Sequence, residues 1–186
     1  LNDFVCYSFY PSKNMFVGEG GLICTNNDEF DYKMRYLRTH GQTDKYYHTM
    51  IGLNYRMTDV EAAIGREQLK RLDQMLQVRR YNATLYNDAL NEIPGVYPQE
   101  ITENGLSAWH QYCLVIEEEE FGCNRNQLID FLRSNEISAG IHYPRGVHQQ
   151  PVFIDMYGYE ALPNTEKTAE KILAIPVHHG LSEQDI

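Results

Sequence analysis

The sequence predicts an α/β fold, and three observations favour it. Residues 3–10 alternate apolar and polar side chains and are rich in Phe, Tyr and Val, which is typical of a strand that ends at Pro11. Apolar residues recur at helical spacing between residues 58 and 90. After residue 109, strand and helix patterns follow one another, which indicates a second α/β unit.

The first half of the chain contains a tight connection, a helix and a long loop. A short strand is predicted at 22–25. It follows a glycine-rich segment, residues 18–21, whose glycines permit backbone angles that other residues rarely adopt. Asn26 or Asn27 caps a helix that reaches about Thr39. Residues 40–57 are polar and aromatic without a steady period, and loops of this length are commonly functional.

The second half begins with a long helix. Thr58 is a plausible N-cap with Glu61 as its capping-box partner, and the amphipathic pattern predicts one helix to about Leu90. We place the domain boundary inside it, which gives domains 1–75 and 76–186. The later patterns predict a strand at 109–117, a helix at 124–134, a strand at 137–143 and a helix at 165–173.

Composition excludes several classes of function. The 26 acidic residues against 16 Lys and Arg give a net charge of -10, which argues against nucleic acid as a partner. No apolar run is long enough to span a bilayer, so we expect no membrane segment and a cytoplasmic protein. The four cysteines form no C-x-x-C pair, and the histidines lack an accompanying acidic ligand pattern, so no metal site is predicted.

One constellation suggests covalent chemistry. Lys13 follows the first strand in a turn, with the Ser8 hydroxyl before it and the glycine-rich segment after it. A lysine amine in such a turn suits a Schiff base with an aldehyde cofactor, and a hydroxyl suits a phosphate. Taken alone, the spacing does not distinguish this site from a solvated turn lysine.

The surrounding motifs extend the interpretation. The sequence resembles the DegT/StrS family of sugar aminotransferases, whose pattern around the cofactor lysine reads close to S-F-x-P-x-K-N followed by G-E-G-G; residues 8–14 and 18–21 match both halves. The resemblance continues through residues 38–41, 52–59, 62–65, 68–69, 79–80, 141–144, 148–149 and 162–163. It implies a fold-type-I pyridoxal-phosphate (PLP) transferase, with the end of the large cofactor domain at 1–75 and the small C-terminal domain at 76–186.

The resemblance also implies roles for individual residues. Lys13 would form the internal aldimine with pyridoxal 5'-phosphate and then move a proton between substrate and cofactor. Ser8 matches a phosphate-binding hydroxyl. Asn54 matches a residue that reaches the cofactor phosphate of the neighbouring subunit, which implies a homodimer with shared active sites.

Three further residues are candidates for binding the substrate. Arg56 would pair with a phosphate or carboxylate of the substrate, although an ion pair to Asp59 explains it equally well. His142 and Tyr143 match a stretch near the sugar nucleotide, and the alternative is a half-buried strand pair.

The implied reaction is transfer of an amino group, usually from L-glutamate, to a keto group of a nucleotide-linked deoxysugar. Two alternatives stay open: a PLP-dependent sugar dehydratase, whose relatives carry histidine at the position of Lys13, and a noncatalytic regulatory or binding module. The carboxylate and the aromatic residue that contact the cofactor ring lie upstream of the lysine in the family, and no residue before Lys13 matches them. We therefore expect both chain ends to be truncated and this polypeptide alone to lack a complete site.

Overall fold

The computed structural model describes residues 4–186, so Asp3, the predicted first residue of the first strand, lies outside the described residues. The fold is mixed α/β, and the chain divides into two compact units. The first unit ends at Gln74 and the second runs from Met75 to Ile186. No helix within residues 4–186 has the length and apolar character needed to cross a bilayer.

The first unit opens with a two-stranded antiparallel sheet. Strand β1 (Val5–Ser8) pairs with β2 (Gly21–Cys24), which places Ser8 opposite Gly21. Within the connection the Phe9 N–H donates to the Gly20 carbonyl at 2.9 Å. Helix α1 (Asp28–Leu37) follows, and the Asn27 side chain caps it as predicted by accepting from the backbone of its first turn.

The long loop carries a short hairpin of β3 (Gln42–Asp44) and β4 (Tyr47–His48). It ends at Thr58, where a capping box with Glu61 starts α2 (Asp59–Leu69) as predicted. The Thr58 backbone and hydroxyl hydrogen bonds hold the pKa of Glu61 below its ordinary value.

The single helix predicted for 58–90 is wrong, because the structure has two. Helix α3 (Leu72–Leu90) begins after a break in which the Arg71 N–H donates to the Gln68 carbonyl at 2.9 Å. This bond spans three residues instead of four, so it tightens the last turn of α2 and interrupts the ladder. The apolar period continues across the break, and the pattern therefore does not reveal it.

The second unit is built on an antiparallel sheet of three strands in the order β5 (Val96–Pro98), β6 (Tyr112–Ile116) and β7 (Ile172–Ile175). A short α4 (Glu118–Phe121) follows β6, because the acidic run ends that strand and turns helical. The remaining helices of this unit are α5 (Arg125–Ser134), a 3-10 helix at Val147–Gln149, α6 (Pro151–Tyr157) and α7 (Pro163–Lys171).

Several predicted elements of this unit need correction. Residues 137–143 form no strand; Gly140 alone makes a bridge to Ala174, at the free edge of β7. The predicted helix 165–173 ends at Lys171 because the following residues enter β7. Strand β5 and helix α6 were not predicted: the first is only three residues long, and the second begins at Pro151, which fits the first turn of a helix.

The hydrophobic core lies in the second unit. Tyr112, Ile116 and Leu173 are almost fully buried. The Tyr112 ring packs against Trp109 and Tyr86, with centroid distances of 5.2 Å and 4.9 Å. These contacts join α3 to the middle strand of the sheet.

Candidate active site

Lys13 lies in the turn that follows β1. Its backbone N–H donates to the Tyr10 carbonyl at 2.9 Å, which closes the turn. The side chain is half-buried, and no hydrogen bond or ion pair joins its ammonium group to another residue within 4–186. The turn therefore fixes the backbone from which the side chain extends, and the amine remains available to a ligand.

The segment after Lys13 is packed closely against the rest of the first unit. A Cβ atom on Gly20 would lie 2.6 Å from the Met57 sulfur and 3.0 Å from a methyl group of Val17. A Cβ atom on Gly65 of α2 would lie 3.1 Å from the other Val17 methyl group. These close approaches show that Gly20 and Gly65 let the segment after Lys13 pack against Met57 and α2.

Ser8 is exposed at the end of β1. Its hydroxyl oxygen accepts a long hydrogen bond of 3.4 Å from the Tyr10 N–H. Tyr10 thus links the two candidates, since its N–H contacts Ser8 and its carbonyl contacts Lys13. The hydroxyl keeps its own proton free to donate to an anion such as a phosphate.

Asn54 and Arg56 form a connected pair. Asn54 makes an isolated bridge with Thr39, and the Tyr55 N–H donates to the Arg38 carbonyl at 2.9 Å, so the backbone of this stretch is fixed against the end of α1. Arg56 Nε donates to Asn54 Oδ1 at 2.8 Å. The alternative ion pair from Arg56 to Asp59 does not occur between these described residues.

His142 and Tyr143 lie in the second unit, and both are exposed. Their rings meet edge to face at a centroid distance of 5.7 Å. The His142 ring also lies near Gly140, whose added Cβ would be 3.1 Å from Nε2. The alternative of a half-buried strand pair is wrong, because the chain here is irregular and both side chains face solvent.

The structure thus brings four of the candidates into the first unit, namely Ser8, Lys13, Asn54 and Arg56, and two into the second.

Glu166 was not identified from the sequence. It accepts hydrogen bonds from His148, Tyr159 and the Leu162 backbone. The available signal was a carboxylate in the first turn of a helix that begins with proline, where the helix dipole favours negative charge.

The residues of the first unit suit pyridoxal phosphate. Lys13 offers an amine without a partner within residues 4–186, which matches an aldehyde, and Ser8 and Asn54 offer donors of the kind that bind a phosphate. Residues 4–186 contain no cluster of three or more His, Cys, Asp or Glu side chains placed to hold a metal ion.

Comparison with known proteins gives consistent matches. The sequence model of the DegT/DnrJ/EryC1/StrS aminotransferase family matches residues 1–186. The chain is 36% identical to the "Pleiotropic regulatory protein" of Geobacillus stearothermophilus, covering 96% of this chain and 47% of that protein. It is 31% identical to the spore coat polysaccharide biosynthesis protein SpsC of Bacillus subtilis, covering 100% and 51%. The chain therefore spans about half the length of the curated relatives it matches.

Solved structures have the same fold. The S. venezuelae DesV structure in complex with a ketimine intermediate has a TM-score of 0.90 and 29% identity, covering 98% of this chain and 48% of that one. A DegT DnrJ EryC1 StrS aminotransferase from Brucella abortus gives 0.85 and 30%, with the same coverage. An E. coli GDP-4-keto-6-deoxy-D-mannose-3-dehydratase with bound hydrated PLP gives 0.85 but 24% identity, over 95% and 50%, and so is alike in fold alone.

Proposed function

Since this chain belongs to the DegT/DnrJ/EryC1/StrS aminotransferase family, we propose that the protein transfers an amino group to a keto group of a nucleotide-linked deoxysugar, with pyridoxal 5'-phosphate as cofactor and L-glutamate as amino donor. The observation that carries the proposal is Lys13, which stands within the family's motif and has an ammonium group that forms no hydrogen bond or ion pair within residues 4–186.

Lys13 has two tasks in this proposal. Its Nζ would hold the cofactor at the aldehyde carbon, and the same amine, once free, would carry a proton to or from the substrate carbon. Bound pyridoxal phosphate supplies the electron sink that makes this proton transfer possible. The turn closed by Tyr10 fixes the backbone from which the Lys13 side chain extends in both tasks.

The other polar residues bind and orient. Ser8 and Asn54 donate to the cofactor phosphate, with Asn54 acting on the neighbouring subunit of a homodimer. The loop that carries Asn54 supports this assembly because it exposes large apolar and aromatic side chains, which are typical of interfaces: Tyr46, Tyr47, Ile51, Leu53 and Tyr55.

Three residues are proposed to bind the substrate, Arg56 in the first unit and His142 and Tyr143 in the second. Arg56 presents the remaining donors of its guanidinium group to a phosphate or carboxylate while its Nε holds Asn54. His142 and Tyr143 present exposed polar tips to the diphosphate or the sugar. The proposed division assigns 1–75 to the cofactor domain and 76–186 to the small domain, in a cytoplasmic enzyme of polysaccharide or deoxyamino-sugar synthesis.

Two alternatives remain to be tested with it. A dehydratase uses the same fold, but Lys13 favours the aminotransferase because dehydratase relatives are expected to carry histidine there. A noncatalytic regulatory module is favoured by the name of the Geobacillus relative, "Pleiotropic regulatory protein". Retention of Lys13, Ser8 and Asn54 together favours the enzyme.

The test uses the full-length protein with added pyridoxal phosphate. The native protein is expected to show the visible absorption band of a lysine-bound cofactor and to lose it on addition of L-glutamate. Lys13→Ala is expected to abolish the band. Lys33→Ala, which removes a lysine that forms an ion pair with Glu29 on α1, is the matched control and should leave it unchanged. A native protein without the band, or a Lys13→Ala variant that retains it, would overturn the enzyme assignment.

A further inference from the structure

One carboxylate in the second unit forms hydrogen bonds to both ends of the segment 148–162, which contains helix α6. Glu166 Oε1 accepts hydrogen bonds from His148 Nε2 at 3.0 Å, from the Tyr159 hydroxyl at 2.9 Å and from the Leu162 N–H at 2.9 Å. The Leu162 backbone bond first, and then the two side-chain bonds, hold the pKa of Glu166 below its ordinary value. Glu166 is therefore ionised near neutral pH and acts as a charged acceptor, which strengthens each bond.

The His148 ring, held by its hydrogen bond to Glu166, also contacts the backbone at Gly146. It lies over Gly146, where an added Cβ would be 2.4 Å from Cε1 and 2.6 Å from Nδ1. The Gly146 N–H donates to Gln149 Oε1 at 2.9 Å, so the same short stretch is bonded at its other side. Because Glu166 holds the His148 ring, the ring limits movement of the backbone at Gly146 toward His148.

The chain just before Gly146 carries His142 and Tyr143. Neither of these side chains makes a hydrogen bond to a residue within the described part of the chain, and both are exposed. Their contact with each other is a ring edge, which fixes little by itself. The position of both rings thus depends on the backbone on either side of them. Before them Gly140 is bridged to Ala174 of β7, and after them lies Gly146.

We propose that Glu166 is a positioning residue for the nucleotide-sugar site: through His148 it fixes the backbone at Gly146 and so holds His142 and Tyr143 where they meet the nucleotide diphosphate. This inference rests on the proposed function, since it assumes that the two rings bind that ligand. In this role Glu166 acts through His148 and not by contact with the nucleotide.

The variant Glu166→Gln tests the proposal in the cofactor-loaded full-length protein. It preserves the size of the side chain but removes the charge, which weakens the three hydrogen bonds. The matched control is Glu160→Gln, which removes the same charge from the same segment at a residue without a hydrogen bond or ion pair to any other described side chain. Tyr159→Phe removes one of the three donors and should give an intermediate effect.

The first measurement is hydrogen exchange, which does not depend on activity. Glu166→Gln is expected to speed hydrogen exchange in the peptide covering 142–149 by about fivefold or more. A loss of protection of this size is expected when hydrogen bonds to a charged group are weakened. Exchange in β6 and β7 should not change. A residue that merely stabilises the fold would instead speed exchange throughout the sheet. Uniform acceleration, or none, would contradict the proposal.

The second measurement is the binding of UDP and TDP, used as probes of the nucleotide site. Glu166→Gln is expected to raise the dissociation constant of the better-binding probe by about fivefold. The response of the visible band to L-glutamate should stay as in the native protein. Two outcomes would contradict the positioning role alone, provided that the native protein shows the band. In the first, Glu166→Gln binds the probes as tightly as the native protein. In the second, the native protein binds neither UDP nor TDP. Absence of the band in the native protein would contradict the proposed function.

Discussion

Side-chain ion pairs distinguish Lys33 and Lys70 from Lys13, which also lies in the first unit. Lys33 and Lys70 each form an exposed ion pair with a glutamate of their own helix region, at 2.6 Å and 2.5 Å. Such exposed pairs contribute little to stability and are common on helix surfaces. Lys13 has no such pair within residues 4–186, although its side chain is half-buried. This combination is what a covalent cofactor site requires.

Arg56 provides a prediction at the scale of single residues. Arg56→Ala removes the hydrogen bond that orients the Asn54 amide. Loss of a hydrogen bond to a charged group costs about 1.5–3 kcal/mol, part of which should appear as weaker cofactor binding. We expect the dissociation constant of pyridoxal phosphate to rise about tenfold in equilibrium titrations of the full-length protein.

The control for this prediction is Arg71→Ala, since the Arg71 side chain makes no hydrogen bond or ion pair to the described residues. Equal loss of cofactor affinity in the two variants would point to a general effect of positive charge instead of an oriented Asn54.

The sequence identified Arg56 and Asn54 separately but did not reveal that they are bonded to each other. A long side chain such as arginine reaches both Asn54 and Asp59, so spacing left the two arrangements open. The choice depends on the bridge that holds Asn54 against Thr39, a contact distant in sequence. Likewise, the bond from His148 to Glu166 was missed because His148 lies on the far side of helix α6 in the sequence, and no local pattern connects the two residues.

At the scale of elements, the sequence predicted where helices start better than where they end. Asn27 and the Thr58–Glu61 pair carry their own hydrogen-bonding chemistry, so local sequence identifies them. The break after α2 and the change from α7 to β7 have no comparable local signal. In β7 the strand is set by pairing with β6, with Leu173 opposite Leu114, which is a tertiary contact.

The loop that carries Asn54 depends on a close backbone approach at Gly41. This residue has φ of 66°, and an added Cβ would lie 1.8 Å from the Met50 carbonyl oxygen. Gly41→Ala must therefore displace backbone as well as adopt a strained angle, which we expect to cost about 2–5 kcal/mol in total. Urea unfolding of the full-length protein measures the loss, and cofactor affinity should fall with it.

Gly18 offers the matched comparison, because its φ is also positive at 101° but an added Cβ would meet nothing within 4 Å. Gly18→Ala should cost only the strain of the backbone angle, about 1–3 kcal/mol. Equal losses of unfolding free energy in the two variants would show that the approach to Met50 does not matter.

At the scale of the whole molecule, the two units differ in what they bury. Within residues 4–186 the buried hydrophobic side chains lie in the second unit, with Val17 as the exception in the first. The first unit exposes many large apolar side chains, including both strands of its sheet. Because burial of apolar surface is the main stabilising contribution, the second unit holds most of the stability that these residues provide.

This difference predicts how the units behave when separated. Residues 75–186 are expected to unfold in urea in one cooperative transition, because their sheet and helices share one core. Residues 1–74 are expected to show no cooperative transition in the same measurement, since too little apolar surface is buried to offset the loss of chain entropy. A cooperative transition for 1–74 alone would contradict this reading.

The most direct test of the account is chemical. When the full-length protein is loaded with pyridoxal phosphate, reduced with borohydride and digested, the covalent link between lysine and cofactor becomes permanent and can be located by mass. The account predicts one modified site, at Lys13. Modification of a different lysine, or of none, would contradict it.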